Sequence, residues 1–328
     1  MIRVKLPASL ATAAVLSATP TAYAAQAAPS NFPSKPITLL VGFAAGGSVD
    51  NAARRVAQGL QAAGWNVVVE NRVGASGLIA ARELARSAPD GYTLMMGSVS
   101  NLAMVPVASS NPQFDPLKDV TPVAKIGSAP LMMLVQKNSP LRTVKDLIDT
   151  AKSSSKSLNY ASGGIATPPH LAGELFASTA GIKVNHIPYR GEAPALVDLI
   201  GNHVPMMFAN LTTAMPHVQA GAVHAVAVSS LERTPTAPNV PTLAESGLPG
   251  FEVENWFGIV APAATPTAIV ERIHNAVAKA LKSEDLRKHL SEQGLRVEDV
   301  SVKQFGEQMR SEVQKWSKVI MNVNIRLD

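Results

Sequence analysis

The stretch Leu39-Leu40-Val41-Gly42-Phe43-Ala44-Ala45-Gly46-Gly47-Ser48-Val49-Asp50-Asn51 decides the fold of this chain. It begins with apolar residues, as a buried parallel strand does, and then passes through paired glycines. Ala53, Val56 and Leu60 follow at helical spacing. A strand, a glycine turn and a helix aim backbone N–H groups beyond the strand end, where they favour an anion. We therefore expect a carboxylate at this turn, and a tight connection without a ligand is the alternative.

Several familiar sites are not indicated by the sequence. The stretch is neither G-x-G-x-x-G nor a P-loop, so neither a dinucleotide nor a nucleoside triphosphate is predicted. With no cysteine there is no disulfide framework and no thiolate metal site. The seven histidines include neither H-E-x-x-H nor H-x-H. We expect no metal and no cofactor.

The N-terminus has the features of a secretory signal. Arg3 and Lys5 precede an apolar run from Leu6 to Ser17, and Ala22-Tyr23-Ala24 fits the cleavage rule. The alternative, an uncleaved anchor, is disfavoured because the run is too short to span a bilayer. We predict a periplasmic protein, cleaved near Ala24. Losing two positive charges takes the formal charge from +5 to +3, and this scattered excess predicts no nucleic-acid partner.

The first part of the mature chain alternates strands with helices. Strands are predicted at Ile37–Gly42, Val67–Val69 and Tyr92–Met96, with a helical pattern after each of the first two. This alternation favours a parallel sheet covered by helices. Ligands of such sheets lie beyond the carboxyl ends of the strands, where Ser48 and Ser98 fall.

The same kind of unit is predicted a second time. Strands are expected at 131–135, 157–162, 184–187, 204–208 and 223–228, and the small-residue loop Ser162–Thr167 precedes a helix that starts at Pro168-Pro169. The predicted fold class is therefore α/β with two lobes, each a mainly parallel sheet flanked by helices, and with a ligand cleft between them.

The end of the chain is expected to return to the first lobe. Trp256–Val260 is a predicted strand, Thr265 with Pro266 is expected to cap one helix, and Ser301–Gln304 forms a capping box for the last helix. The apolar stripe of that helix indicates packing on the sheet, and a partner-binding face is the alternative. The predicted division is a signal peptide at 1–24, lobe 1 at 25–130 and 255–328, and lobe 2 at 131–254, with crossings near 126–134 and 252–260.

Several motifs in a fixed order point to a known family. They include Gly46-Gly47-Ser48-Val49-Asp50, Val69-Glu70-Asn71-Arg72-Val73-Gly74-Ala75, Pro89-Asp90-Gly91-Tyr92-Thr93-Leu94, Pro188-Tyr189-Arg190-Gly191 and Trp256-Phe257-Gly258. Over nearly the whole mature chain the sequence resembles the Bug family of periplasmic substrate-binding proteins, which are associated with tripartite tricarboxylate transporters. The resemblance implies a two-lobed periplasmic binding fold, similar to type II, that closes over a small organic anion, a mono- or dicarboxylate.

The resemblance also implies which residues contact the ligand, through backbone N–H groups, hydroxyls and bridging waters. In lobe 1 these are Phe43, Ala45, Gly46, Gly47, Ser48, Asp50, Ser98, Ser100 and Asn101; in lobe 2 they are Ser162, Gly163, Gly164, Thr167, His170, Tyr189, Arg190, Gly191 and Asn210. One position departs from the family. Ala209 stands where an acidic residue often precedes the asparagine, so a preference for amino-bearing ligands is not carried over from relatives.

Three charged or titratable residues have two interpretations each. Asp50 either caps the first helix or orients a pocket water or ligand hydroxyl. His170 is either a satisfied or solvated histidine or a hydrogen-bonding group of the pocket. Arg190 either pairs with a ligand carboxylate or is an ordinary surface charge.

The expected function is ligand capture without chemistry, by a monomer that delivers its ligand to a membrane permease of the tripartite tricarboxylate type. A sensory binding protein that serves a receptor kinase is one alternative, because both roles need the same closing cleft. A secreted serine hydrolase is another, with Ser48, Ser98 or Ser162 as nucleophile and His170 as base. The absence of a G-x-S-x-G elbow argues against the hydrolase.

Overall fold

The computed structural model describes residues 31–153 and 157–323. The predicted signal peptide, residues 1–24, lies outside the described residues. Within the described ranges, no helix combines the length and the apolar character that crossing a bilayer requires.

Ten strands and ten α-helices succeed one another along these ranges, with two further short helical segments at Ala75–Gly77 and Ser100–Met104. The strands are β1 (Ile37–Val41), β2 (Val67–Asn71), β3 (Thr93–Ser98), β4 (Val120–Gln136), β5 (Leu158–Ser162), β6 (Val184–Pro188), β7 (Met206–Asn210), β8 (Val223–Val228), β9 (Glu254–Pro262) and β10 (Arg296–Val297). The helices are α1 (Ser48–Ala62), α2 (Leu78–Ala85), α3 (Val105–Ala108), α4 (Val144–Ser153), α5 (Pro168–Ala180), α6 (Glu192–Ile200), α7 (Leu211–Gln219), α8 (Thr267–Leu281), α9 (Glu284–Glu292) and α10 (Val302–Val323).

The strands follow the order β2-β1-β3-β9-β4-β7-β5-β6, with β8 and β10 also paired to β4. The outer strands pair in parallel: β1 with β2 and β3, and β5 with β6 and β7. Strands β9 and β4 pair antiparallel with their neighbours. Residues 120–130 of β4 pair with β9, whereas residues 131–136 pair with β7 and β8. We call the β9 side the first sheet and the β7 side the second sheet.

Strand β4 is longer than the sequence predicts. The apolar run at 131–135 was expected to be a separate strand, but β4 starts at Val120 and includes Pro122 and Pro130. Proline has no N–H to donate to a sheet. The register of β4 against β9 shifts between Pro122 and Ala124, which accommodates the first of these prolines as an irregularity within one continuous strand.

Helices cover both faces of the first sheet. Helices α1 and α8 bury Val56 and Ile273 in one core cluster. Helix α10 buries Phe305, Met309 and Trp316 in the cluster on the other side. The stripe of α10 is therefore core, as its spacing indicated, and not a partner-binding face.

The sequence predicts helix starts at Thr143 to Asp146, at Pro168-Pro169, at Thr265 and at Ser301, and the structure agrees at all of these except Thr265. In α4, the Asp146 N–H donates to Thr143 Oγ1 and the Thr143 N–H donates to Asp146 Oδ2. Ser301 and Gln304 form the same reciprocal pair before α10. The prediction for Thr265 is wrong, because α8 begins after Pro266 and the Thr265 hydroxyl donates to the Pro262 carbonyl instead.

Candidate ligand-binding cleft

A narrow cavity, of about 320 Å³ when the space open to solvent is included, lies where strand ends of the first sheet meet helix starts next to the second sheet. Its walls come from the β1–α1 turn, the end of β3, the β5–α5 loop, the start of α6, the end of β7 and β9. The lining residues are Phe43, Gly47, Ser48, Val49, Ser98, Ser100, Gly163, Thr167, Pro169, Glu192, Asn210 and Asn255. We call this cavity the cleft.

The structure brings eight of the predicted site residues to the cleft wall: Phe43, Gly47, Ser48, Ser98, Ser100, Gly163, Thr167 and Asn210. The others do not line it: Ala45, Gly46, Asp50, Asn101, Ser162, Gly164, His170, Tyr189, Arg190 and Gly191. Sequence reasoning missed Val49, Pro169, Glu192 and Asn255. The position of Glu192, directly after Tyr189-Arg190-Gly191, was a usable signal, whereas nothing local in the sequence marks Asn255.

The glycine turn before α1 differs from the expectation in how its amides are used. The Gly46 N–H donates to Asp50 Oδ2 at 2.9 Å, and the Gly47 N–H donates to the Ala44 carbonyl at 3.3 Å. The Ser48 N–H donates at 3.4 Å to Glu192 Oε2, which comes from the other side of the cleft. The amide at the start of α1 therefore faces a carboxylate, as the dipole favours, but the carboxylate belongs to the protein.

Asp50 holds the turn in shape and has the contacts of a structural residue. Its carboxylate accepts from the Gly46 N–H, from Arg54 Nε at 2.8 Å and from Asn71 Nδ2 at 2.9 Å. Burial alone would raise the pKa of Asp50, but these hydrogen bonds, chiefly that of Arg54, outweigh it and lower the pKa. All of these contacts are made within the protein, which favours a structural role for Asp50, although none of them is a side-chain cap on the N-cap residue of α1.

Glu192 is the first residue of α6 and is only 6% exposed. Its Oε1 accepts from the Asn210 N–H and from Asn210 Nδ2, both at 2.7 Å. Its Oε2 accepts from the Thr213 hydroxyl at 2.6 Å and from the Ser48 N–H. All four contacts are made by neutral donors, so the carboxylate is hydrogen-bonded without a cationic partner in this set.

A chain of amides runs from Glu192 across the cleft. Because a carboxylate only accepts, Asn210 must turn its Nδ2 toward Glu192, and the same Nδ2 lies 3.1 Å from Ser48 Oγ. The Oδ1 of Asn210 then accepts from Asn255 Nδ2 at 3.0 Å. The Oδ1 of Asn255 is buried and has no hydrogen-bond donor in the described part of the protein.

The end of β3 contributes hydroxyls to the cleft. Ser98 is fully buried, and its Oγ has no hydrogen-bond partner among the described residues. The Ser98 N–H donates at 2.9 Å to Asn101 Oδ1, so Asn101 supports the strand end from behind the wall. Ser100, also buried, lines the cleft beside Ser98. A buried hydroxyl without a protein partner is available to a ligand.

The β5–α5 loop carries Gly163 and Thr167 on the wall and Ser162 behind it. The Ser162 hydroxyl donates to the Gly164 carbonyl and is 2.6 Å from His186 Nε2. The ring of His186 stacks on that of His170 at 3.9 Å between centroids. The Nδ1 of His170 accepts from the Ala166 N–H at 3.0 Å, so His170 has the contacts of a satisfied histidine.

The two stacked histidines are held in their neutral forms. Burial lowers the pKa of His170 to about 4. Burial and the neighbouring His170 lower the pKa of His186 to about 3. The neutral form of His170 is the one that can accept the Ala166 N–H, so the pair supports the loop that carries Thr167.

The segment before α6 approaches the β1–α1 turn. A Cβ atom at Gly191, whose φ is +129°, would lie 3.1 Å from both the N and the Cβ of Ala44. Tyr189 donates its hydroxyl to Asp198 Oδ2, and Arg190 is exposed. Gly191 therefore permits close contact between the two walls, and Tyr189 and Arg190 lie outside the cleft lining.

The serine–His170 pair that the hydrolase alternative requires does not form at Ser162 or at Ser48. The histidine paired with Ser162 is His186 rather than His170, and Ser162 is fully buried behind the cleft wall. Ser48 Oγ receives the Asn210 amide instead of facing a histidine. In the described ranges, no group of three His, Cys, Asp or Glu side chains is arranged to hold a metal ion.

A larger cavity, of about 1240 Å³, lies between α5 and α10. Its apolar walls include Leu171 and Trp316, and its polar residues include Glu174, Glu252, Glu254 and Glu312. These four acidic residues outnumber Lys315, the one cation that lines this cavity in the described part of the chain, so the cavity disfavours an organic anion. The cleft, with its hydroxyls and helix starts, is the better candidate for a carboxylate.

The sequence matches the TctC family model, described as "Tripartite tricarboxylate transporter family receptor", over residues 52–325. It is 33% identical over 310 residues to the protein BugT of Bordetella pertussis, covering 93% of this chain and 94% of BugT.

Solved structures of similar proteins share the fold. "R. palustris Rpa4515 with adipate" has a TM-score of 0.87 and 34% identity, over 90% of this chain and 99% of that one. MatC from Rhodopseudomonas palustris with bound malate has a TM-score of 0.83 and 31% identity, over 88% of this chain and 100% of that one.

Proposed function

This chain belongs to the tripartite tricarboxylate transporter receptor family, and from that premise we propose that it captures a small carboxylate reversibly in its cleft. Two similar proteins have been solved with malate and with adipate, respectively. We further propose that the protein works in the periplasm as a monomer and delivers its ligand to a permease of the tripartite tricarboxylate type. The two lobes, at 25–130 with 255–328 and at 131–254, would close over the ligand.

One observation carries the proposal: hydroxyls from three separate segments converge on the cleft, and one of them has no partner in the described protein. Ser48 starts α1, Ser98 ends β3, and Thr167 precedes α5. The unpartnered Ser98 Oγ is a donor available to a carboxylate oxygen. The start of α5 adds a favourable field for an anion, whereas the start of α1 already faces Glu192.

The test is a thermal-shift screen of mono-, di- and tricarboxylates against refolded, ligand-free protein, followed by calorimetric titration. A ligand that binds the folded state raises the unfolding midpoint once its concentration exceeds its Kd. Failure of every carboxylate to raise the midpoint would contradict the proposal. Turnover of an ester or amide that is lost in Ser162→Ala would support the hydrolase instead.

Matched serine variants connect binding to the cleft. Ser98→Ala removes a hydroxyl that has no partner in the described protein, so we expect unchanged stability and an affinity lower by about fivefold, or ~1 kcal/mol. Ser87→Ala is the control, because Ser87 is half-buried after α2, does not line the cleft and donates its hydroxyl to the Glu83 carbonyl. Equal affinities in the two variants would place the ligand elsewhere.

The membrane partner is tested by uptake. Cells that lack this chain but retain a candidate permease should lose uptake of the radiolabelled ligand, and wild-type protein should restore it. A receptor-kinase role predicts unchanged uptake and a lost transcriptional response to the ligand.

A further inference from the structure

The cleft has an end rich in hydrogen-bond acceptors, and this end narrows the class of ligand. Glu192 is the one cleft-lining residue with a formal charge in the part of the chain that the structure describes. Arg190, the nearest cation in sequence, is exposed and does not line the cleft. A ligand bound beside Glu192 therefore meets a buried negative charge with no cationic side chain on the wall.

The amide network adds a second acceptor, because Asn255 lines the cleft, as well as the larger cavity, and is joined to Glu192 through Asn210. Glu192 fixes the orientation of Asn210, and Asn210 fixes that of Asn255 by accepting from its Nδ2. The remaining Asn255 Oδ1 is buried, with the residue 2% exposed, and no donor reaches it within the described protein. An amide oxygen only accepts, so a ligand satisfies it only by presenting an N–H or O–H group.

The longest hydrogen bond of Glu192, from the Ser48 N–H, also indicates a hydrogen-bond donor in the ligand. Its bonds to Asn210 and Thr213 are 2.6–2.7 Å long, whereas the bond from the Ser48 N–H is 3.4 Å. Oε2 is thus the acceptor with room for a stronger donor. A second ligand carboxylate at this position would face Glu192 as a like charge in a buried site, which is unfavourable.

Resting on the carboxylate capture proposed above, we propose that the ligand is a monocarboxylate whose other end carries a nitrogen donor, an ammonium or a primary amide. The nitrogen group binds at Glu192 and Asn255, and the carboxylate binds toward the Ser98 hydroxyl, because the Thr167 hydroxyl already donates to the Gly164 carbonyl. Glu192 is then the residue that selects against dicarboxylates. The protein donors at this end are already engaged with Glu192, so a group that brings its own N–H complements the site.

The experiment compares compounds of equal carbon number that differ only at one end. The four-carbon set is succinate, succinamate and 4-aminobutyrate; the five-carbon set is glutarate, glutaramate and 5-aminopentanoate. Calorimetric titration of wild-type protein should give a Kd at least about tenfold lower for a nitrogen-bearing compound than for the dicarboxylate of the same length. Comparing the amide with the amine of the same length shows whether the site prefers a neutral nitrogen donor or a cation.

Glu192→Gln tests whether the negative charge of Glu192 causes the preference for the nitrogen-bearing compound over the dicarboxylate. It keeps an oxygen for Asn210 and removes the negative charge, so the tenfold preference should fall to less than threefold, partly through tighter binding of the dicarboxylate. Asn255→Ala removes the second acceptor and should weaken the nitrogen-bearing compound alone. Glu271→Gln, on the exposed surface of α8, is the control and should change neither the preference nor the Kd of the nitrogen-bearing compound. A merely structural Glu192 would lower the unfolding midpoint of Glu192→Gln without altering the preference.

The outcomes separate this inference from the proposed function. Dicarboxylates that bind wild-type protein as tightly as their nitrogen-bearing counterparts would overturn the inference and leave carboxylate capture standing. Absence of binding by every carboxylate would overturn both. If Glu192→Gln does not fold, the wild-type comparison alone decides.

Discussion

The Nδ2 of Asn210 lies 3.1 Å from the Oγ of Ser48, although the two residues are 162 positions apart in the chain. Asn210 ends β7 in the second sheet, and Ser48 starts α1 beside the first. This hydrogen bond crosses the cleft, so it forms only when the two walls approach each other. It ties the start of α1 to the network of Glu192 and Asn255.

Ser48→Ala is predicted to weaken ligand binding modestly. The change removes the acceptor of Asn210 Nδ2 and leaves the Ser48 N–H in place, so the closed form loses one hydrogen bond. We expect a loss on the order of 1 kcal/mol, or about fivefold in Kd, with the melting point of the free protein nearly unchanged. Calorimetric titration beside Ser87→Ala is the measurement. Identical affinities would mean that this contact is absent from the bound state.

The two glycines of the turn are predicted to behave differently. Gly47 has φ −79°, which any residue can adopt, and an added Cβ would lie 3.4 Å from the Ala44 carbonyl and 4.0 Å from the Glu192 N. Gly47→Ala should therefore fold normally, and its methyl group beside Glu192 should cost the ligand one hydrogen bond to that carboxylate, roughly 1.5–3 kcal/mol or ten- to a hundredfold in Kd. Gly46 has φ +80°. Gly46→Ala should cost about 1–2 kcal/mol of unfolding free energy through backbone strain.

Paired urea unfolding and titration of both variants test this difference. Gly47→Val extends the series, because a larger side chain should abolish binding while the protein stays folded. Wild-type affinity in both folded Gly47 variants would show that nothing binds near this turn. Equal stability of Gly46→Ala and wild type would argue against strain at Gly46.

The strand-turn-helix units could be predicted from the sequence because their signals are local. Apolar runs, glycines and capping pairs such as Thr143 with Asp146 each act within a few residues. For the same reason, eight predicted site residues at strand ends and helix starts reached the cleft wall. Asn255 could not be placed there, because its role depends on a contact with Asn210, 45 positions away. Glu192 directly follows a predicted site segment and could have been included, but its contact with Asn210, 18 positions away, could not be predicted.

Export is predicted with cleavage near Ala24. The charged start and apolar run should direct the chain through the inner membrane of a Gram-negative host, and signal peptidase should remove the leader. Intact-mass measurement of the periplasmic product decides the point. A soluble product that retains residues 1–20 would contradict the prediction.

The stacked pair of His170 and His186 predicts how stability depends on pH. Both folded-state pKa values lie below the ordinary value of 6.5, at about 4 and about 3. Between these values and 6.5 the unfolded chain binds more protons than the folded protein, so stability rises with pH in this window. The contribution is fully present above pH 6.5 and is lost as the pH falls toward 4. One such histidine contributes about 2 kcal/mol to the difference between pH 7 and pH 5.

Urea unfolding at pH 7 and pH 5 of wild type and of His186→Gln measures this contribution. Removing His186 eliminates one lowered pKa and the repulsion it shares with His170, so the stability lost between the two pH values should shrink by about 2 kcal/mol. His203→Gln is the control, because His203 is exposed at the end of α6. His186→Gln also disturbs packing, but that loss of stability is the same at pH 7 and at pH 5. The difference between the two pH values within one variant therefore reports titration alone. An unchanged pH dependence of stability in His186→Gln would mean that the pKa values of the two histidines are not lowered. The neutral histidine pair would then not be what supports the β5–α5 loop.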